Sequence, residues 1–364
     1  MPTISRAAVH TDGPELEITE VVVRDPGPGQ VLVKLGASGV CGSDRHVLDG
    51  DWNLPSPTVM GHEGAGTVVS IGAGVTDLDV GDHVVLSWFY PCLHCAACRA
   101  GRMWVCTGSG ASDGLLPDGT TAFSRGDGSV FPYLAVGSMS EYTVVAQQAA
   151  VKIPDAVPFD VAALIGCSIA TGFGAVVNDG DVTAGQSALV IGAGGIGLSI
   201  IMSLALAGAN PIIAADVSGE ALALAAAFGA THTLTSGPDL ATEVKEITGT
   251  GVDCAFEAIG RRETIELMTS CAAPGGTAVI VGLPPEDDPV SIDALHLAEE
   301  GKRLVGSNYG STVPARDFPR LADLYLAGKL PIDRLITDRI RLDEVNSAFA
   351  AMRAGSRGRT VIVH

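Results

Sequence analysis

Positive charge is scarce in this chain of 364 residues: 22 Lys and Arg stand against 41 Asp and Glu, a formal net charge of −19. No cluster of Lys or Arg interrupts that surplus. Such a surface repels nucleic acid and anionic lipid, which removes both from the expected partners. Long apolar runs are lacking too. The start, Met1-Pro2-Thr3-Ile4-Ser5-Arg6, has no apolar signal core. No later stretch reaches the roughly 20 uncharged apolar residues that a bilayer crossing needs. Ser187 to Ala209 comes closest, and its glycines point elsewhere. No internal repeat and no low-complexity tract stands out. The expectation is a cytoplasmic protein without a membrane partner. With 47 % apolar and 17 % charged residues the chain can bury substantial cores, and its length predicts two domains.

Eight cysteines are present: Cys41, Cys92, Cys95, Cys98, Cys106, Cys167, Cys254 and Cys271. In a long chain without a secretory leader, metal binding is the better expectation than disulfides. The spacing Cys92-x2-Cys95-x2-Cys98-x7-Cys106 is the most specific short pattern. Four thiolates so close can surround one tetrahedral zinc ion in a closed, structural site, with disulfides as the alternative. His94 lies inside the cluster but is not needed as a ligand.

The texture changes along the chain. The first 150 residues hold short β-type runs at Gln30 to Leu35, Gly66 to Ile71, His83 to Trp88 and Tyr142 to Val145, separated by turn residues. Val157 to Val177 reads as helix. Apolar runs at Ala188 to Ile191, Pro211 to Ala215, Cys254 to Glu257 and Thr277 to Val281 then alternate with helical stretches, the pattern of a parallel sheet. After about residue 308 come two amphipathic helices, Phe318 to Ala327 and Asp343 to Met352, and a closing strand, Thr360 to Val363. This organisation predicts an α/β protein with a catalytic domain in two segments, 1–168 and 309–364, and a nucleotide-binding domain, 169–308, inserted between them.

Gly192-Ala193-Gly194-Gly195-Ile196-Gly197 follows the first of those strands and opens a helix, the context a dinucleotide fingerprint requires. Gly192 permits the tight turn, Gly194 the approach of a pyrophosphate and Gly197 close packing of helix on sheet. Asp216 ends the next strand, 19 residues after Gly197. A carboxylate there accepts hydrogen bonds from the adenosine ribose and repels a 2′-phosphate. Val217, Ser218 and Gly219 offer no positive charge, so NAD is favoured over NADP.

Three further elements suggest a second zinc: Gly39-Val40-Cys41-Gly42-Ser43-Asp44-Arg45-His46, Gly61-His62-Glu63-Gly64-Ala65-Gly66, and Cys167 in Leu164-Ile165-Gly166-Cys167-Ser168. Taken together with the nucleotide fingerprint and the cysteine cluster, they resemble the zinc-dependent medium-chain alcohol dehydrogenases over nearly the whole chain. The resemblance implies a GroES-like β-rich catalytic domain interrupted by a Rossmann domain. It implies that Cys41, His62 and Cys167 hold a catalytic zinc, so two zinc ions per chain, with Glu63 beside the metal. It assigns a proton relay to Ser43 and His46 and a supporting role behind His62 to Asp44. Thr171 and Leu283 would flank the nicotinamide, and Arg359 would reach the pyrophosphate. Gly42 stands where many relatives have a basic residue for that pyrophosphate. Trp52, Trp88 and Met139 would wall an apolar substrate pocket, suiting hydrophobic or aromatic primary alcohols and their aldehydes. Cys254 and Cys271 are left as core residues.

The loop Leu115-Leu116-Pro117-Asp118-Gly119-Thr120 looks like that of the dimeric, long-loop members, which implies a homodimer. Thiol-adduct formaldehyde dehydrogenases share the loop but need basic residues near the pocket. Between Cys106 and Arg125 this chain has none. A subfamily that keeps its nicotinamide permanently is a further alternative, and a non-enzymatic zinc or nucleotide-binding protein the alternative of another class.

Overall fold

The computed structural model describes residues 3–285 and 288–364. The chain divides into two compact units, one formed by Met1–Cys167 with Val313–His364 and the other by Ser168–Thr312.

In the first unit, Thr3–His10, Glu17–Val23, Phe123–Arg125, Gly128–Pro132 and Thr58–Val59 close a small barrel. A second sheet runs in the order Ala150–Lys152, His83–Leu86, Glu63–Ile71, Gln30–Gly39, Arg359–Val363 and Ile336–Ile340, with Tyr142–Ala146 also paired to Gln30–Gly39. Valines of its inward face, Val31, Val33, Val68 and Val84, are fully buried in one cluster. The register Gly39↔Glu63 and Val361↔Gly39 sets the site: it brings the end of one strand, the start of a second and the closing strand of the chain together just before Cys41.

The second unit holds six parallel strands in the order His232–Thr235, Ile212–Asp216, Ala188–Ile191, Val252–Glu257, Ala272–Ile280, Arg303–Gly306. By chain order this is 3-2-1-4-5-6, the doubly wound dinucleotide-binding arrangement, whose ligands sit where the order reverses. The reversal lies between Ala188–Ile191 and Val252–Glu257. All four residues of the first of these strands are buried, as expected for a strand covered on both faces.

Three expectations are adjusted. The strand ending at Trp88 stops at Leu86. The helix begun near residue 157 runs Phe159–Asp179 and contains π-helical turns at Ile165–Ile169 and Ala175–Asp179, so Cys167 sits in a widened turn. Among the described residues this helix is long and apolar enough to cross a membrane, and 89 % of its apolar window is buried inside the structure. It therefore has a core in which to place its apolar side chains. The strands His232–Thr235 and Arg303–Gly306 were not expected from sequence, because they lie at the two sheet edges and their residues are mostly exposed.

Candidate active site

The helix Gly42–Leu48 begins at Cys41, and its start is fixed by one carboxylate. Asp44, completely buried, accepts the Cys41 backbone N–H at 3.0 Å on one oxygen and faces His62 Nδ1 at 3.1 Å with the other. An ionised carboxylate only accepts, so the imidazole proton lies on Nδ1 and the lone pair is left on Nε2. Ligand atoms of Cys41, His62, Glu63 and Cys167 lie within 4.8 Å of one another, and all four residues are buried. Two thiols and an imidazole with a supported second nitrogen are a donor set suited to zinc, and three protein ligands leave a position open. The group fits.

The electrostatics of these residues follow from burial and pairing. The hydrogen bond from Cys167 holds Cys41 well below the ordinary thiol range and pushes Cys167 up. Burial works against the charged form of His62, but the Asp44 carboxylate more than offsets it and raises the imidazole well above its ordinary value, so a metal ion would take the Nε2 lone pair by displacing a proton while Nδ1–H stays on Asp44. Burial pushes the Glu63 carboxyl up to about 7 against the pull of Arg359. Glu63 needs the empty space at Gly39, where a Cβ would stand 1.9 Å from its Oε2. Any side chain at that position displaces the carboxylate from the cluster.

Arg359 is 5 % exposed. Its guanidinium pairs with Glu63 and donates to the Val40 carbonyl at 3.1 Å. The strand register that carries Arg359 to this point could not be read from sequence, so its partner was missed. Tyr133 was missed as well. It is 2 % exposed, meets the His62 ring edge-on at 5.4 Å and directs its hydroxyl toward the Ser43 carbonyl at 3.5 Å. Only the fold brings it there. Gly42 faces open space on its Cα, so packing does not require glycine there.

Cys92, Cys95, Cys98 and Cys106 form a second cluster. All are free thiols. Sγ of Cys95 lies 3.8 Å from Sγ of Cys106. Sulfurs about 2.3 Å from a tetrahedral zinc are about 3.8 Å apart, whereas a disulfide closes to about 2.05 Å. This second donor set also fits zinc, and the disulfide alternative falls. Backbone N–H groups of Cys95, Cys98 and Gly108 point at Sγ of Cys92, Cys95 and Cys106, at 3.3 to 3.5 Å. The Cys98 amide draws Cys95 down to about 5. His94 bonds the Cys92 carbonyl and stays outside the cluster.

The expected wall residues separate. Met139 is wholly buried in a cluster on which Trp52 packs. Trp88 packs against a different cluster. Trp52 also lines an open groove of about 640 Å³ with Pro14, Leu48 and Leu54.

In the other unit, Gly192 has φ +95° and a Cβ on it would meet the Ile259 side chain at 2.5 Å. A Cβ on Gly197 would stand 1.7 Å from the Gly192 carbonyl oxygen, so the helix Gly195–Ala207 packs this close only with glycine. Gly194 borders open space. It caps the helix without a side-chain acceptor, which leaves the N–H groups of Gly195, Ile196 and Gly197 for an anion. Asp216 accepts from the Ala193 and Ser218 N–H groups at 2.8 and 2.9 Å and so ties the glycine turn to the next strand. Thr171 is buried and Leu283 is 56 % exposed.

Residues 27–155 match the family model described as alcohol dehydrogenase GroES-like domain, and residues 195–327 the one described as zinc-binding dehydrogenase. The S-(hydroxymethyl)glutathione dehydrogenase of Paracoccus denitrificans is 36 % identical, over 99 % of this chain and 100 % of its own length. The NDMA-dependent alcohol dehydrogenase of Amycolatopsis methanolica is 37 % identical over 98 % of both. The crystal structure of benzyl alcohol dehydrogenase from Acinetobacter calcoaceticus superimposes with a TM-score of 0.94 at 34 % identity, covering 99 % of each chain.

Proposed function

The chain belongs to the zinc-dependent medium-chain alcohol dehydrogenases, NAD-dependent oxidoreductases, and from that premise we propose that it interconverts hydrophobic or aromatic primary alcohols and their aldehydes. The observation that carries the substrate class is the stretch between Cys106 and Arg125, which has no basic residue, beside an apolar cluster that holds Met139 and on which Trp52 packs. A thiol-carrier adduct brings carboxylates, and this stretch instead contributes Asp113 and Asp118. The likeness to a benzyl alcohol dehydrogenase points the same way.

In this reading Cys41, His62 and Cys167 hold the catalytic metal, which when bound acts as a Lewis acid and lowers the pKa of the alcohol. Asp44 keeps the His62 lone pair on Nε2. Arg359 holds the Glu63 carboxylate near the open position, and a direct contact of its remaining N–H groups with the pyrophosphate is part of the proposal. Ser43 and His46 carry the alcohol proton outward, since hydroxyl and imidazole both donate and accept. Asp216 selects NAD, Gly192 to Gly197 receive the diphosphate, and Thr171 and Leu283 flank the nicotinamide. A homodimer is proposed from the long loop, which Tyr90 pins by donating to the Leu115 carbonyl at 2.6 Å.

The test is a comparison of kcat/KM for benzyl alcohol and for S-(hydroxymethyl)glutathione with NAD. The proposal expects preference for benzyl alcohol by at least ~100-fold, the scale on which a site rejects ligands whose charges it leaves unpaired. Preference for the thiol adduct would replace it with the formaldehyde dehydrogenase reading. NADH co-purifying and resisting exchange would replace it with the permanently bound form.

A further inference from the structure

The helix that carries Ser43 and His46 ends in a turn that folds back on itself. Gly50 N–H donates to the Val47 carbonyl at 3.1 Å and Asp51 N–H to the His46 carbonyl at 2.9 Å. Gly50 has φ +82°. These are the two bonds and the left-handed residue of a Schellman closure. The residue after the glycine is thereby returned over the last turn, and here that residue is Asp51. Its Oδ2 lies 2.6 Å from Nδ1 of His46. Trp52 follows, and its ring stacks on the same imidazole at 4.9 Å with 29° between planes.

The neighbouring carboxylate does different work. Asp49 is engaged by Arg45 at 3.3 Å and by Arg353 at 2.8 Å. Asp51 is left to the imidazole. The pair is 30 % and 44 % exposed, a setting in which ion pairs add little stability. Its geometric effect is larger. The carboxylate accepts only, so the proton sits on Nδ1 and the Nε2 lone pair is the one free to receive another.

We infer that Asp51 is a positioning residue of the proton relay, held by the turn at Gly50 so that His46 presents Nε2 as its accepting atom. The inference rests on the relay reading of His46 given above. In that reading the bound cofactor would supply the hydride acceptor, and the O–H proton of the alcohol would pass outward and be taken up at Nε2 of His46. The imidazolium, its Nδ1–H still on Asp51, then releases the Nε2 proton to solvent and returns to the same tautomer. No bond to Asp51 forms or breaks.

The experiment uses the zinc-loaded enzyme and four variants: H46Q, D51A, D51N and the H46Q/D51A pair, each checked for two zinc ions and NADH affinity. D51A is expected to slow alcohol oxidation about tenfold, within the usual range for a group that orients a proton-transfer partner. D51N keeps an accepting oxygen and loses less. In the H46Q background D51A has no further effect, because the two act as one unit. Added imidazole buffer restores D51A, a response that a purely structural defect would not give. Full activity in D51A beside an impaired H46Q overturns the inference alone, as does an equal D51A effect in both backgrounds. Full activity in H46Q overturns the relay reading and the inference with it.

Discussion

Asp44 carries two constraints on one carboxylate, and its removal separates them from catalysis. Asp44→Ala leaves the buried Cys41 N–H without an acceptor and frees the His62 ring to rotate. A zinc competition titration with a chromophoric chelator is expected to show a 10- to 100-fold loss of affinity at one site only, the usual scale for a group that supports a metal ligand from behind. Unchanged affinity would mean that packing alone fixes His62. At this scale residue types were legible and partners were not. Cys41, His62 and Cys167 stood out through their local motifs. Arg359 stood out too, yet its placement on Glu63 depends on the pairing of Arg359–Val363 with Gln30–Gly39, two segments some 320 positions apart.

The segment from Cys92 to Cys106 has almost no core of its own. Its helix, Ala96–Arg99, buries only Cys98, and the following turn, Met103–Val105, buries nothing. Such a lobe relies on metal for its order. Cys98→Ser is expected to make Arg99 and Arg102, both exposed, rapid trypsin sites, read as fragments on a gel over minutes. Cleavage as slow as in the parent enzyme would contradict a structural role for that metal. Elements were legible wherever burial imposes a pattern. The strands Ala188–Ile191 and Ile212–Asp216 are buried throughout and appear as apolar runs, broken only by the closing Asp216. His232–Thr235 and Arg303–Gly306 lack that imprint because edge strands keep one side exposed. The π-helical turn at Cys167 has no sequence signature at all.

For the molecule as a whole, the net charge of −19 favours separation of copies, so association needs a specific surface. In the unit Ser168–Thr312 the outer edge of Arg303–Gly306 pairs with no strand among the described residues, and Leu304 and Leu295 are exposed nearby in sequence. An open edge with apolar side chains is suited to pairing with a second copy. Sedimentation equilibrium is expected to give twice the chain mass of 37.0 kDa. A monomer at micromolar concentration would set the dimer aside without touching the chemistry.

In this reading two separate clusters hold two zinc ions with different tasks. Metal content together with turnover of benzyl alcohol, measured in the parent enzyme and in His62→Ala, separates the two tasks. Two zinc per chain and NADH formation are expected in the parent, and one zinc with turnover reduced at least a thousandfold, about 4 kcal/mol, in the variant. Two zinc and sustained turnover in His62→Ala would contradict it.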